Sequence, residues 1–334
     1  MKNSNSPYII AEIGINFEGK LNIAKKLITD AKNAGANAVK FQLFQAETLS
    51  NPYSKKTSSQ KVNIKKESLY NMWKRMELNK SKIKILFDFS KKSNIDFITS
   101  VFDLKSLSYA ESVGVKSYKV ASSDITDYVL LKNLSKLKKK IYLSTGMADT
   151  NEIKKALHIL KKNDVTLLHC VSLYPCPEQK ANLKRMISLK KFKKPIGYSD
   201  HCKNTSASIA AISLGANVLE KHFTYSKKKS GSDHLLSADK RDLSEIVSFA
   251  KNYKLLLGDG LIKPSFEEFK MRKFFRKNYF YNSNLKIGQK IKLSNLITRR
   301  PEGNIKSINI LDYIGRKIKK NVYKNDELKK KHFK

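Results

Sequence analysis

The sequence predicts an α/β fold in which eight strand–helix units close into a barrel, followed by a small separate domain of short strands. Three observations carry this expectation. Short β-branched, apolar runs alternate with amphipathic stretches from the N-terminus to about residue 255. There are eight such units, the number that closes a (β/α)8 TIM barrel, whereas an open doubly wound sheet usually has fewer strands. Past Gly258-Asp259-Gly260 the repeat stops, and short alternating runs with turn signals take over.

Taken in order, the strands read as Tyr8–Ile13, Ala38–Gln42, Ile95–Thr99, Ser117–Val120, Lys140–Leu143, Thr166–Cys170, Pro195–Tyr198 and Asn217–Glu220. Helical spacing fills the gaps. Ile23, Leu27, Ile28 and Ala31 share one face, with Gly35 after the last turn as a C-cap. Ile153, Ala156, Leu157 and Leu160 form another, opened by Thr150 as N-cap with Asp149 beside it. The polar segment Asn51–Lys66 reads as a long loop leaving the second strand at the barrel face where active sites lie, and loops of that length are often lids. The chain therefore divides into a barrel over residues 1–258, a basic linker over 259–276 and a small domain over 277–334. Neither G-x-G-x-x-G nor G-x-x-x-x-G-K-[ST] occurs, so a nucleotide-binding fold lacks support.

Composition excludes several classes. At 40% hydrophobic and 10% aromatic residues the chain can bury a sizeable core, which argues against wholesale disorder. No apolar run approaches a membrane span, and the start MKNSNSPYIIAEIG lacks the shape of a signal peptide. Three cysteines, Cys170, Cys176 and Cys202, are odd in number and lack zinc-type pairing, which suits a reducing cytoplasm. The formal net charge of +38 first suggests a nucleic-acid or membrane-surface partner. However, only eight of the 67 basic residues are arginine, and the lysines are spread along the whole chain. Lysine is a hydrated point charge suited to any exposed surface, while bidentate phosphate and base readers favour arginine. Neither a nucleic-acid nor a membrane partner is expected.

In a barrel, residues at strand ends converge on one site. Here they are Glu12, Asn16, Lys40, Gln42, Lys119, Ser122, Asp124, Ser144-Thr145-Gly146, Ser172, Tyr174, Asp200-His201, Glu220 and His222. A charge inside a buried strand is costly unless paired or liganded, so Lys40, Lys119 and Glu220 need partners. Two lysines with hydroxyl donors suit a phosphorylated anion. His201 and His222 follow adjacent strands and can share one divalent ion, with Asp200 and Glu220 as carboxylates to orient their rings. Structural histidines bonded to backbone are the alternative. His234 is a candidate pocket donor, His169 a core residue, and His158 and His332 structural or solvent-facing.

Blocks of the chain carry a resemblance. IIAEIGINFEG, GANAVKFQLF, SYKVASSDITD, YLSTGM, LLHCVSLYPCPE, IGYSDH, LEKHFTYSKKKSGSDH and TRRPEGNI occur in this order over nearly the whole length. Together they resemble the sialic acid synthase family, the N-acylneuraminate synthases. The resemblance implies a TIM barrel followed by a small antifreeze-like (SAF) domain, assembled as a domain-swapped homodimer. It implies condensation of phosphoenolpyruvate with an N-acylated amino-sugar aldehyde, with C–O cleavage, water addition and phosphate release. By position, His201 and His222 match ligands of a divalent ion, Mn2+ or Mg2+, that polarises the aldehyde. Lys40, Lys119, Ser122 and Ser144 match residues that bind phosphoenolpyruvate. Glu12, Gln42, Tyr174 and Asp233 match positions that line the sugar and the reaction centre, and the resemblance implies that Glu12 or Asp124 orients the water. Arg300 matches the arginine that reaches into the partner's site toward the N-acyl group.

The chain also departs from the family pattern. Asn16-Phe17-Glu18-Gly19 replaces N-H-x-G, Val101 replaces a proline, Gly231-Ser232-Asp233 replaces Gly-Pro-Asp, and Glu302 is inserted in Arg-Pro-Gly. Ser172 stands where some neuraminate synthases have Asn. N-acetylmannosamine is the first expected sugar, a diacetylated bacillosamine-derived sugar giving legionaminate the second, and a pseudaminate precursor the third. A basic nucleic-acid binder is the alternative of another class, and it would need neither histidine. An aldolase forming a Schiff base on Lys40 or Lys119 is a further alternative.

Overall fold

Eight parallel strands hydrogen-bond in sequence order and close on themselves: β1 (Tyr8–Gly14), β2 (Ala38–Leu43), β3 (Asp96–Val101), β4 (Ser117–Val120), β5 (Lys140–Ser144), β6 (Val165–His169), β7 (Ile196–Asp200) and β8 (Val218–His222). Helices connect them, so the protein is the (β/α)8 TIM barrel that its sequence predicts. The computed structural model describes residues 6–49, 67–231, 233–300 and 309–333. The expected lid at Asn51–Lys66 lies outside them. The predicted strands are present, most of them one or two residues longer at the C-terminal end, where the chain turns polar before the ladder ends.

Alternation along the strands builds the barrel in layers. Ile10, Ala38, Ile98, Tyr142, Leu168 and Val218 point inward and form an apolar plug. Two residues further along the same strands come Glu12, Lys40, Ser100, Ser144, Cys170 and Glu220, so one step of the pleat turns the interior from hydrocarbon to polar. The outward positions, such as Ile9, Ala11, Val39, Leu167 and Leu219, pack against the helices in the main core.

The helices start and stop for local reasons. The first, Leu21–Asn33, buries Ala24, Leu27, Ile28 and Ala31 and is followed by Gly35 at φ +90°, a left-handed turn that disfavours any side chain. For helix Thr150–Ile159 the N-cap is Asp149, not Thr150. The Asp149 carboxylate accepts the N–H groups of Asn151 and Glu152, while Glu152 reaches back to the Asp149 N–H. A charged acceptor satisfies two orphan donors where the threonine hydroxyl would satisfy one.

The chain separates into two compact units, Met1–Gly258 and Asp259–Lys334. Within the second, helix Phe266–Phe275 occupies what the sequence suggests is linker, begun by a Ser265/Glu268 capping box. A two-stranded antiparallel sheet pairs β9 (Asn278–Tyr281) with β10 (Leu296–Arg299). Its own small core gathers Tyr281, Leu285, Ile291, Ile318, Val322 and Leu328. Among the described residues no helix is long and apolar enough to cross a membrane.

Gly197 shows how tightly the barrel closes. A Cβ there would sit 2.6 Å from Leu168 Cδ2 and closer still to the Val218 carbonyl oxygen. Gly197→Ala is expected to destabilise the chain by ~1–3 kcal/mol through overpacking. Urea unfolding measures this, and an unchanged midpoint would contradict it.

Candidate active site

At the C-terminal end of the barrel lies a cavity of about 430 Å³. The charged layer forms its floor. Lys40 Nζ sits 2.8 Å from Glu12 Oε2 and 3.7 Å from Glu220 Oε2. Lys119 Nζ donates to Glu220 Oε1 at 3.2 Å, and Ser199 Oγ donates to the same oxygen at 2.7 Å. Lys40 also donates to Ser100 Oγ at 2.9 Å, and Gln42 Nε2 donates to Glu12 Oε1 at 2.8 Å. All four charged side chains are at most 5% exposed, so none can rely on water.

This burial sets the protonation balance. Burial raises the Glu12 carboxyl above the usual carboxylate range, opposed by Lys40 and assisted by Glu220. Burial would raise Glu220 too, but Lys119 and Lys40 hold it low. Lys40, despite burial, is raised by Glu12 and Glu220 and stays charged. The two cations and two carboxylates cancel one another, and the carboxyl raised by its surroundings is Glu12.

The histidines crown the next level. His201 follows β7 and His222 ends β8, with ring centroids 5.6 Å apart. Tyr174 lies over His201 at 4.3 Å and meets the His222 ring edge-on. Burial lowers both imidazoles from 6.5 to about 4, so both are neutral at physiological pH. His201 Nδ1 is 2.8 Å from the Val171 carbonyl, and a proton donated there leaves the Nε2 lone pair free. His222 Nδ1 is buried without a hydrogen-bond partner among the described residues, 3.6 Å from Asp233 Oδ2. Among the described residues no three His, Cys, Asp or Glu side chains converge on one point. The pair therefore suits an ion that takes two protein nitrogens and completes its shell with oxygens from substrate or water.

A third group surrounds Gly146. Its N–H donates to Ser122 Oγ at 3.0 Å, and a Cβ there would lie 2.5 Å from Ser172 Oγ, 2.7 Å from Ser122 Oγ and 2.8 Å from Cys170 Sγ. Ser144 and Ser172 hydroxyls are buried and lack partners among the described residues. Buried hydroxyls left open are suited to a ligand's oxygens. Leu49, Trp73, Phe102 and Met147 give the cavity an apolar wall. Trp73 and Phe102 pack edge-on against buried Phe44, with centroids at 5.3 and 6.3 Å.

Of the residues singled out in the sequence, Glu12, Lys40, Gln42, Lys119, Ser122 and Ser144 line this cavity. So do Ser172, Tyr174, His201, His222 and Asp233. Asp124 does not: its carboxyl is held up at about 6 by burial and is bonded to Ser123 Oγ. Arg300 belongs to the second unit, directly after β10.

Several placements differ from expectation. Asp200 does not orient His201, because neighbours along a strand face opposite sides, and it points out of the barrel. It pairs there with Lys221, which also faces away from the site. Glu220 serves the lysines rather than His222, whose nearby carboxylate is Asp233. Asn16 is structural, donating to Phe223 O and Ser237 Oγ at 2.9 Å each. His234 bonds Thr224 Oγ1 at 2.7 Å and does not line the cavity, whereas His169 is the core residue expected, bonded to the Ala181 carbonyl. Sequence reasoning missed Ser100 and Ser199 and the wall of Leu49, Trp73 and Phe102. The two serines were legible as inward positions two residues past Ile98 and Gly197. The wall had no local signal.

A barrel whose mouth joins paired lysines and carboxylates, open hydroxyls and two neutral imidazoles has the architecture of an enzyme for small anionic substrates. The chain belongs to the NeuB family, whose model matches residues 27–261. It is similar to the N,N'-diacetyllegionaminic acid synthase of Campylobacter jejuni, 41% identical over 96% of this chain and 98% of that protein. The Legionella pneumophila protein of the same name is 36% identical over 94% of this chain and 91% of its own length. Among solved structures, the N-acetylneuraminic acid (sialic acid) synthetase of Leptospira borgpetersenii, in complex with citrate, superposes with a TM-score of 0.69 at 34% identity, covering 83% of this chain and 96% of that one. The chain is thus an enzyme, a synthase of the nonulosonic acid class.

The depressed imidazoles give a direct expectation. Proton NMR of the metal-free chain should show His201 and His222 titrating near pH 4 rather than 6.5. Because the unfolded chain binds these protons first, stability contributed by the pair is full above about pH 6.5 and is lost as pH falls toward 4. Titration of either ring near 6.5 would contradict the burial argument.

Proposed function

We propose that the protein condenses phosphoenolpyruvate with the open-chain aldehyde of a diacetylated, bacillosamine-derived sugar, releasing phosphate and an N,N'-diacetyllegionaminate-type acid. The observation that carries this reading is the barrel floor, where two buried lysines stand beside open serine hydroxyls and two neutral histidines. Lys40 and Lys119 hold the substrate's carboxylate and phosphate, with Ser122, Ser144 and Ser172 donating to the remaining oxygens.

The four floor charges already balance, so a multiply charged anion calls for positive charge from elsewhere. His201 and His222 would hold a divalent ion, Mn2+ or Mg2+, which when bound supplies Lewis acidity toward an aldehyde oxygen. The bond-forming step joins C3 of the enol phosphate to the aldehyde carbon, and the aldehyde oxygen takes a proton from a carboxylic acid of the site. Water then adds at C2; one of its protons restores that carboxyl, the other leaves with phosphate as the C2–O bond breaks, and C2 becomes a ketone. Glu12 is the carboxyl best suited to give and regain that proton, since it lines the cavity, is raised by burial, and is aimed by Gln42 and Lys40. Asp124, off the cavity, is the less suitable group. Tyr174 packs its ring against His201 at a tilt, with centroids 4.3 Å apart, and so restrains the imidazole.

The choice of sugar is supported by the apolar wall and by the names of the two relatives at 41% and 36% identity. A diacetylated 6-deoxy sugar presents more methyl groups to Leu49, Trp73 and Phe102 than N-acetylmannosamine does. In a phosphate-release assay with phosphoenolpyruvate, the diacetylated sugar should give the higher kcat/KM, and a chelator should abolish turnover. Trp73→Ala should lower that kcat/KM about tenfold, the effect of losing ~1.4 kcal/mol of apolar contact. Preference for N-acetylmannosamine would overturn the assignment of the sugar and leave the reaction class in place.

The second unit resembles an antifreeze-like domain, and we read the working form as a domain-swapped homodimer in the cytoplasm. Supporting this are helix Phe266–Phe275, which buries none of its side chains and leaves Phe266, Phe269, Phe274 and Phe275 exposed, and three free, buried cysteines. In the swapped form Arg300 reaches toward the sugar's acyl group in the partner's site. Arg300→Ala should raise the sugar KM at least tenfold while sedimentation still reports a dimer. Unchanged sugar kinetics would refute the role.

A further inference from the structure

Behind the histidines, on the outer face of the barrel, lies an ion pair that the proposed reaction does not use. Asp200 and Lys221 are register partners across β7 and β8 and directly precede His201 and His222. Both are essentially unexposed, at 0% and 1%. Lys221 Nζ donates to Asp200 Oδ2 at 3.0 Å, to the Cys202 carbonyl, and to the Asn204 carbonyl at 3.3 Å. Asp200 also accepts from Ser208 Oγ at 2.5 Å and from the Cys202 N–H at 2.8 Å. One network thus ties together the two strand ends, the loop leaving His201 and the helix Ser206–Ser213.

Neighbouring outward positions are hydrophobic, Tyr198 on β7 and Leu219 on β8. Well-packed apolar residues would be about as stabilising as a buried ion pair, because desolvation offsets much of its attraction. What apolar residues cannot do is fix the loop carbonyls at set distances. We infer that the Asp200–Lys221 pair is a positioning device that sets the spacing of His201 and His222 for a divalent cation. The inference rests on reading those two histidines as ion ligands. The main chain of each histidine is also held from its other side: the Cys176 N–H donates to His201 O at 2.9 Å, and the Ala238 N–H to His222 O at 2.7 Å. The backbone ladder spaces β7 and β8 as far as the Asp200–Lys221 register pair, and beyond it the pair holds the loop that carries His201, through the Cys202 and Asn204 carbonyls, against the end of β8.

The test uses the full chain and Mn2+ alone, with binding followed by the EPR signal of free Mn2+. Lys221→Met and Asp200→Asn should each weaken Mn2+ at least tenfold, as loss of groups that orient ligands commonly does. The double variant D200N/K221M leaves no unpaired charge at these two positions and should regain much of the thermal midpoint lost by the single variants. Its Mn2+ affinity should stay low, because the carbonyls of Cys202 and Asn204 still lack their donor. The proton NMR signals of the His201 and His222 rings should move in the metal-free variants, while those of His169 and His234 stay. A lowered midpoint with unchanged Mn2+ affinity, or unmoved His201 and His222 signals, would overturn the inference. Equal Mn2+ binding by wild type and His201→Ala would remove the reading on which it rests.

Discussion

The electrostatic lattice of Lys40, Lys119, Glu12 and Glu220 is the constraint on which the rest of the site depends. Four charges sit inside a barrel where they are almost wholly removed from bulk water, and each is tolerable because the others are within reach. The lattice also couples strands that are far apart in sequence: β1, β2, β4 and β8 all contribute to it. A shift in any one strand would leave a charge unpaired. Geometry and charge balance are therefore enforced together, and a cavity with this floor is stiff before any substrate arrives. Neutral imidazoles above it complete a gradient, from hydrocarbon plug through compensated charge to groups free to take a ligand.

The large positive charge of the chain takes its meaning from this contrast. Lys40 and Lys119 are locked to carboxylates, while most other lysines lie on the surface, where hydration is sufficient. A broadly positive field still favours the approach of an anion to the barrel mouth, with a dependence on ionic strength that buried pairs would not show.

Much of this was legible in the sequence, for a definite reason. Eight apolar runs ending in polar residues are the imprint of a barrel whose strands leave the core at one face. Lys40 and Lys119 stood out because a charge inside such a run demands a partner. What failed was orientation. Asp200 beside His201 looked like a companion of the imidazole, yet the pleat sends consecutive side chains to opposite faces. Asp233 could not be chosen over Glu220 as the carboxylate near His222, because it arrives from a loop whose path no local pattern fixes. Trp73 and Phe102 were invisible as a wall, since their common support on Phe44 is a purely tertiary fact.

The crowding about Gly146 has a consequence for how such a site can change over time. Three side chains from the segments after β4 and β6 occupy the volume that any residue larger than glycine would need there. A replacement at 146 alone is blocked, and truncation of Ser122, Cys170 or Ser172 opens a gap beside a backbone with no side chain to fill it. The side chain possible at 146 is thus coupled to those at 122, 170 and 172. Variation in the chemistry of this enzyme is thereby channelled toward the apolar wall and the loops, where single substitutions remain open.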